Sequence, residues 1–168
     1  QEYTEPTDAR SAFGNTLHAI ASVNPGRTAA VDCDLEASVK LEKYHAGFPE
    51  RFFECGVAEA HAASFAAGLS RLEPDTFWVD FGVFGMTEVL SQLRMADFNH
   101  TSLKVICTHC GVDVGEDGKT HQAVDYLALA RTLPSFRLLA PADANQCEHL
   151  IRYAASQTGN FFIVMGRS

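Results

Sequence analysis

The sequence alternates short apolar runs with longer segments of helical periodicity, and this alternation limits the fold more than any other feature. Runs of this length are typical of buried strands. The predicted strands are Thr28–Val31, Phe52–Phe53, Thr76–Phe81, Leu103–Thr108, Arg137–Ala140 and Phe161–Met165. The predicted helices are Ala9–Val23, Val57–Leu72, Thr87–Asp97, Ala123–Arg131 and Ala142–Ser156, with a loop or short helical turns over Glu36–Glu50. The pattern predicts a three-layer α/β fold, a mostly parallel sheet with helices on both faces.

Composition narrows the classes of partner. The 168 residues suit one domain, and 46% hydrophobic with 20% charged residues is typical of a globular protein. The formal net charge of −8 argues against nucleic acid or an anionic membrane as a partner. No apolar run reaches the roughly 20 residues that span a bilayer. The odd count of five cysteines favours reduced thiols in a cytoplasmic protein over a disulfide framework.

Polar side chains follow several of the predicted strands. In a parallel sheet the carboxyl ends of the strands meet at one edge, where ligands collect. The residues expected there are Asp34, Ser38, Phe81, Phe84, His109, Asp117, His121 and Arg167. Histidines, an arginine, short polar groups and an aromatic pair together favour a site for a polyhydroxylated, anionic small molecule.

The stretch Phe52–His61 passes from an aromatic pair through Gly56 into an alanine-rich helix that carries Glu59 in its first turn. An acidic residue there complements the helix dipole, so Glu59 on its own is explained as a solvated helix residue. Its apolar setting favours a second interpretation, a carboxyl whose proton affinity is raised by burial.

Several motifs together resemble the pyrimidine-binding domain of thiamine diphosphate enzymes of the transketolase family. Gly56-Val57-Ala58-Glu59 resembles the start of that domain's glutamate helix, and residues 115–122, GEDGKTHQ, are close to its GEDGPTHQ signature, with Lys119 in place of proline. The framing pieces occur in the family's order: Asp34-Leu35 with Ser38, Phe81-x-x-Phe84, Gln92-x-Arg94 and Pro141-Ala142-Asp143. The similarity extends over essentially the whole chain.

The resemblance implies that Glu59 is the catalytic acid that drives the aminopyrimidine of thiamine diphosphate to its imino tautomer. Such an acid must hold a proton near neutral pH, which requires burial among apolar groups. The resemblance also implies that Phe81 and Phe84 flank the pyrimidine ring and that Asp34 and Leu35 contact the cofactor. Ordinary core packing remains the alternative for both phenylalanines. Thr87 departs from the family, which commonly has a further aromatic residue at this position.

The resemblance further assigns a sugar phosphate site. His109 and His121 match the histidines that meet the ketose hydroxyls and phosphate, with His121 also catalytic, and Asp117 matches a carboxylate that checks a substrate hydroxyl. Arg10, Ser38 and Arg167 match phosphate-binding positions. Each has a simpler alternative: Arg10 as a solvated helix residue, Ser38 as a loop cap, the histidines as structural groups.

The motif by which the family binds the diphosphate and Mg²⁺ does not occur in these residues, since they contain no GDG sequence. The expectation is a single pyrimidine-binding domain over residues 1–168 that holds no metal and forms half an active site. A diphosphate-binding domain or subunit would hold Mg²⁺, and the cofactor would lie at the interface of a homo-dimer or hetero-oligomer. Completed in this way, it would transfer a two-carbon ketol unit between sugar phosphates.

Other functions remain open. A reaction like that of 1-deoxyxylulose-5-phosphate synthase uses a similar loop, and a non-catalytic assembly or regulatory domain could keep the fold. A β subunit of a 2-oxoacid dehydrogenase is disfavoured because such subunits resemble the GEDG-x-THQ loop poorly. Cys107-Thr108-His109-Cys110 has the spacing of a metal or redox motif, but no second pair completes four ligands.

Overall fold

A computed structural model describes residues 2–167 and contains a six-stranded sheet with the order β2-β1-β3-β4-β6-β5. Every pairing of neighbouring strands is parallel. The strands are β1 (Thr28–Asp32), β2 (Phe52–Glu54), β3 (Asp75–Phe81), β4 (Lys104–Thr108), β5 (Phe136–Leu139) and β6 (Asn160–Val164). The predicted α/β architecture is therefore confirmed.

Helices cover both faces of this sheet and form the outer two layers. They are α1 (Ala9–Val23), α2 (Glu36–Val39), α3 (Glu42–Gly47), α4 (Glu59–Leu69), α5 (Leu90–Phe98), α6 (Tyr126–Ala130) and α7 (Ala144–Ser156). The two longest begin at aspartate caps: Asp8 accepts a hydrogen bond from the main-chain N–H of Ser11, and Asp143 accepts one from that of Gln146. Such caps satisfy N–H groups that have no partner inside the helix.

The strands of the sheet centre are buried along their whole length because each of their faces packs against a helix layer. Along β3, Trp78 lies in the core beneath α4 and α5, whereas Phe77 and Val79 lie in the core beneath α1 and α7. Side chains of a strand alternate between faces, so one apolar run supplies both cores. Polar groups of these strands are confined mainly to the strand ends.

The helix that carries Glu59 begins two residues later than predicted. Gly56 adopts a φ of +68°, and the N–H of Ala58 donates to the Gly56 carbonyl at 2.7 Å. This tight turn occupies the residues just before the helix, so α4 starts at Glu59 itself. The helix ends at Leu69 instead of Leu72 because a further turn follows, in which the N–H of Arg71 bonds the Gly68 carbonyl.

The segment after β3 is also different from the prediction. A π-helical segment covers Val83–Glu88, and α5 begins only at Leu90. The segment packs close to the sheet at Gly85, where an added Cβ would lie 3.4 Å from both Asp80 Cβ and Cys107 Sγ. Wide helical turns of this kind occur mostly as single turns, frequently at functional sites.

Helix α6 is shorter than predicted because Ala123 belongs to the site loop. Ala123 forms a parallel bridge with Cys110, and its carbonyl accepts the N–H of Gly111 at 2.8 Å. The segment Glu36–Glu50, for which a loop or short helical turns was predicted, forms α2, α3 and a 3₁₀ turn at Pro49–Arg51. All five cysteines are free thiols, as expected. Within residues 2–167, no helix has the length and apolar character that crossing a membrane requires.

We predict that Gly82→Ala destabilises the fold by about 2 kcal/mol, because a side chain there overpacks the contact between the end of β3 and the site loop. A Cβ on Gly82 would lie 2.5 Å from Cys110 Sγ and 3.1 Å from Ala123 Cβ. Urea unfolding of both proteins measures the difference. Gly68→Ala is the matched control, since a Cβ there meets nothing within 4 Å. Equal stability losses in the two variants would contradict the packing argument.

Candidate functional site

Four aromatic rings come together at the carboxyl edge of the sheet. The Phe81 ring lies 3.8 Å from the His109 ring and 6.2 Å from the Phe84 ring, measured between centroids. The His121 ring meets Phe84 edge-on at 5.3 Å and Phe81 at 6.1 Å. The Phe81 and His109 rings are in the closest contact, and the other three distances are typical of aromatic pairs that attract one another. Two predicted cofactor residues and two predicted sugar residues thus form one cluster.

His109 follows β4 directly and is the most deeply buried of the predicted sugar residues, with 2% of its surface exposed. Its backbone has a φ of +55°, which is uncommon for a residue with a side chain. Its Nδ1 lies 2.9 Å from the Thr108 hydroxyl. Burial, with a smaller contribution from the Arg10 charge, lowers the pKa of His109 to about 4. The imidazole is therefore neutral at physiological pH and able both to donate and to accept hydrogen bonds.

The loop after His109 folds back to place Asp117 and His121 at the same edge. Two 3₁₀ turns, Gly115–Asp117 and Lys119–His121, are joined by Gly118 with a φ of +75°. Both side chains are half-buried. The charge of Asp117 raises the pKa of His109, and that of His121 lowers it, so both groups act on this imidazole.

Arg167 reaches the same loop but is engaged by a neighbouring acid. Its guanidinium donates to both carboxylate oxygens of Glu116 at 2.8 Å and to the Val114 carbonyl at 3.0 Å. Hydrogen bonds from Arg167 lower the pKa of Glu116 to about 2. Gly115 permits this approach, because a Cβ there would lie 1.7 Å from Arg167 Nη1.

The two other predicted phosphate residues also lie together. Arg10 Nη1 donates to the Ser38 carbonyl at 3.0 Å, and Arg10 Nε forms an ion pair with Asp8 at 3.3 Å. The Ser38 residue itself is exposed. Because Arg10 also lowers the pKa of His109, its charge acts at the ring cluster.

Asp34 and Leu35 occupy the turn after β1. Asp34 is exposed and has a φ of +61°, and its N–H donates to Glu54 Oε1 at 2.9 Å. The Leu35 N–H donates to Asp32 Oδ2 at 3.0 Å, and the Leu35 side chain packs against the core that includes Phe81.

Glu59 is half-buried as the first residue of α4, which corrects the expectation of a carboxyl enclosed by apolar groups. The buried alanines of α4 face the sheet, and the first turn stands at its edge. Glu59 still acts on the buried end of the strands, since its charge raises the pKa values of Asp80 and Cys33.

Several acidic residues of this edge were not predicted from the sequence. Asp80 lies fully buried in β3, and the pKa of the buried Asp32 is raised to about 7 by burial and by Glu54. In the sequence, Asp80 is the only charged residue between Thr76 and Phe81. A charged residue within an apolar strand indicates a buried group with a functional role. The ion pair of Glu116 joins it to Arg167, 51 positions along the chain, and has no such signal in the sequence. Within residues 2–167, no group of histidine, cysteine or acidic side chains is arranged to hold a metal ion.

We predict that His109 destabilises the protein as the pH falls. Its pKa is about 4 in the folded state against an ordinary 6.5, so between these values the unfolded chain binds more protons. The unfolding equilibrium constant then rises by up to about tenfold per pH unit on acidification across this interval. Urea unfolding from pH 7 to 4 should show a smaller slope for His109→Gln. His149→Gln, on the exposed side of α7, is the matched control, and equal slopes for all three proteins would contradict the prediction.

Comparison with known proteins identifies the family. The family model "Transketolase, pyrimidine binding domain" matches residues 5–168. Transketolase-like protein 2 of Bos taurus is 35% identical over 160 residues, 95% of this chain and 25% of the relative. The putative transketolase C-terminal section of Methanocaldococcus jannaschii is 31% identical over 159 residues, 94% of this chain and 50% of the relative.

A solved structure, described as a split gene transketolase, inactive beta4 tetramer, superposes with a TM-score of 0.85 at 34% identity. The match covers 98% of this chain and 53% of that chain. The chain thus spans between a quarter and about half of the length of these relatives. Fold, site loop and family model agree, and the chain belongs to the transketolase pyrimidine-binding domain family.

Proposed function

We propose that this domain is the pyrimidine-binding half of a transketolase-like enzyme, which transfers a two-carbon ketol unit from a ketose phosphate to an aldose phosphate. The observation that carries the proposal is the convergence of the Phe81, Phe84, His109 and His121 rings at the sheet edge that also carries Glu59. One side of this cluster offers aromatic surface to a flat ring, and the other offers polar groups to a sugar.

Membership of the family implies thiamine diphosphate, which supplies a nucleophilic carbon for breaking the carbon–carbon bond beside a ketose carbonyl. The residues present fit its pyrimidine end. Phe81 and Phe84 provide aromatic contact, and Leu35 adds an apolar side chain beside the Asp34 turn. Glu59 is the proposed acid toward a pyrimidine ring nitrogen, and its half-exposed position leaves the carboxyl accessible to that ring.

The sugar end would be bound by the polar side of the cluster. Neutral His109 can accept from or donate to a substrate hydroxyl, and His121, whose Nδ1 lies 2.9 Å from the Thr120 hydroxyl of its own loop, packs against the same rings. The turn at Gly118 would place Asp117 to bind a further hydroxyl of the sugar. Arg10, Ser38 and Arg167 would bind the phosphate, with Arg supplying planar donors suited to it.

The acidic groups near Glu59 favour a partner domain that binds the diphosphate end of the cofactor. Glu59 and Asp32 both raise the pKa of Asp80, so the ionisable groups at this end of the strands are acids, which bind a diphosphate poorly. We therefore propose that a diphosphate-binding domain or subunit holds the diphosphate and Mg²⁺, in a homo-dimer or hetero-oligomer, and that residues 1–168 form one domain. A split gene relative described as an inactive tetramer of one chain type supports this division. Free thiols are compatible with a cytoplasmic location.

Apolar side chains at the site rim support the same proposal. Val57, Val112 and Val124 have 77%, 70% and 68% of their surface exposed. Along the chain, Val57 precedes Glu59 by two residues, Val112 belongs to the site loop and Val124 follows His121 by three residues. Isolated exposed apolar residues are ordinary on any surface. Three of them around one site are consistent with a surface that another domain covers.

We predict that Glu59→Gln lowers kcat at least about 100-fold in the enzyme completed by its partner domain, because an amide cannot exchange a proton with the cofactor ring. Turnover is measured with a ketose phosphate donor and an aldose phosphate acceptor, and separately with pyruvate as donor. Glu50→Gln, an exposed glutamate outside the site, is the control. Turnover of Glu59→Gln at the level of the control would refute the assignment, and activity with pyruvate alone would favour the synthase-like reaction.

We predict that Arg167 must exchange its Glu116 partner for substrate phosphate. Arg167→Ala should then raise KM for a ketose phosphate by about tenfold, as expected for loss of one charge-assisted contact, with less effect on an unphosphorylated ketose. Glu116→Gln should lower KM for the phosphorylated donor, because the competing carboxylate is removed. Steady-state kinetics with both donors measure these changes. Equal effects of Arg167→Ala on both donors would contradict a phosphate contact.

A further inference from the structure

Asp80 is a carboxyl in a place where an ionised carboxylate is poorly stabilised. It is the penultimate residue of β3, and none of its surface is exposed. Its Oδ1 accepts the main-chain N–H of Phe81 at 2.8 Å, and its Oδ2 has no hydrogen-bond partner within the described residues. No lysine, arginine or histidine among residues 2–167 forms an ion pair with it.

The surroundings of Asp80 are apolar or carry the same sign of charge. Strand alternation directs its side chain to the face of Trp78, away from that of Phe81. The titratable groups that act on it are Cys33 and Asp32 from β1 and the turn after it, Glu59 from α4 and Cys107 from β4. The π-helical segment covers the site from above at Gly85, whose added Cβ would lie 3.4 Å from Asp80 Cβ.

These contacts favour the neutral acid. An ionised carboxylate without a cation or enough donors is costly to bury, so such a group keeps its proton. Burial is the main cause that raises the pKa of Asp80 to about 8, and the negative charges of Glu59 and Asp32 raise it further, against the lowering effects of the Phe81 N–H and Cys33. Burial also raises the pKa of both Cys33 and Cys107, so these thiols add no charge at neutral pH.

We propose that Asp80 is a positioning residue of the pyrimidine site. It is a buried, neutral carboxylic acid that fixes the main chain at Phe81 by accepting its N–H. Because it is neutral, it adds no negative charge beside Glu59. The inference rests on the proposed role of Glu59 and deepens it. When rising pH removes the Asp80 proton, a negative charge appears close to Glu59, whose charge already acts on Asp80, and the electrostatic field at the pyrimidine site changes.

The protonation of Asp80 is tested without cofactor chemistry. In the protein with aspartate carboxyl carbons labelled with carbon-13, the resonance that Asp80→Asn removes is followed by NMR from pH 4 to 9. The expected midpoint is near pH 8. Unfolding gives a second measurement, as a difference between variants. The contribution of Asp80 to stability falls as the pH rises between the ordinary 3.8 and about 8, opposite in sign to that of His109, so Asp80→Asn should gain stability relative to wild type across this interval, by up to about tenfold in equilibrium constant per pH unit. A midpoint near 4 would overturn the proposal.

The positioning role is tested in the completed enzyme by the pH profile of kcat/KM. Asp80→Asn, which keeps a neutral acceptor for the Phe81 N–H, should move the alkaline limb by about one pH unit or more. Asp80→Leu, which removes the acceptor, should bind thiamine diphosphate about tenfold more weakly than Asp80→Asn. The exposed Glu50→Gln, outside the site, is the control and should match wild type.

Each failure points to a different claim. An alkaline limb in Asp80→Asn identical to that of wild type, or equal cofactor affinity in the Asn and Leu variants, would overturn the role of Asp80. Full activity of Glu59→Gln would instead refute the proposed function, while the carboxyl titration of Asp80 would still report its protonation.

Discussion

The whole structure depends on a parallel sheet that is buried on both faces. Helices cover each side of β1, β3, β4 and β6, so side chains in the middle of these strands have access only to packed apolar neighbours. Charged groups therefore lie mainly at the strand ends and in the turns that follow them. Because all strands run parallel, the turns after their carboxyl ends lie at one edge of the sheet. The packing of the sheet therefore concentrates the candidate functional residues at that edge.

Acidic partners already engage both proposed phosphate-binding arginines at this edge. Arg167 is held by Glu116 through two hydrogen bonds, and Arg10 is paired with Asp8. Both pairs are at least partly exposed, and such pairs contribute little free energy because solvent screens them. An incoming phosphate, with more charge and more acceptor oxygens than a carboxylate, competes well for these side chains. Under the proposed function, the acids hold the arginines in place until a phosphate displaces them.

The sequence was sufficient for the architecture and for the residues of the ring cluster, because strand and helix periodicity and the site loop are local signals. It was insufficient for features that depend on contacts between distant segments. The start of α4 depends on the turn at Gly56, and the π-helical segment depends on the close approach at Gly85. The Arg167–Glu116 pair joins residues 51 positions apart. The half-burial of Glu59 was not predicted for a similar reason, because the composition of a helix does not say which face its first residue occupies.

The two carboxyls at the end of β3 and the start of α4 differ in access to solvent, and this difference separates their roles. Asp80 is enclosed and keeps its proton, whereas Glu59 stands at the open rim. Two nearby acids that were equally exposed would both ionise and repel an electron-rich or anionic ligand. Enclosing one of this pair leaves the other, Glu59, as its accessible carboxyl to meet a ring nitrogen. The buried environment of Asp80 keeps that acid neutral. It therefore determines how much negative charge lies near Glu59 at this edge of the sheet.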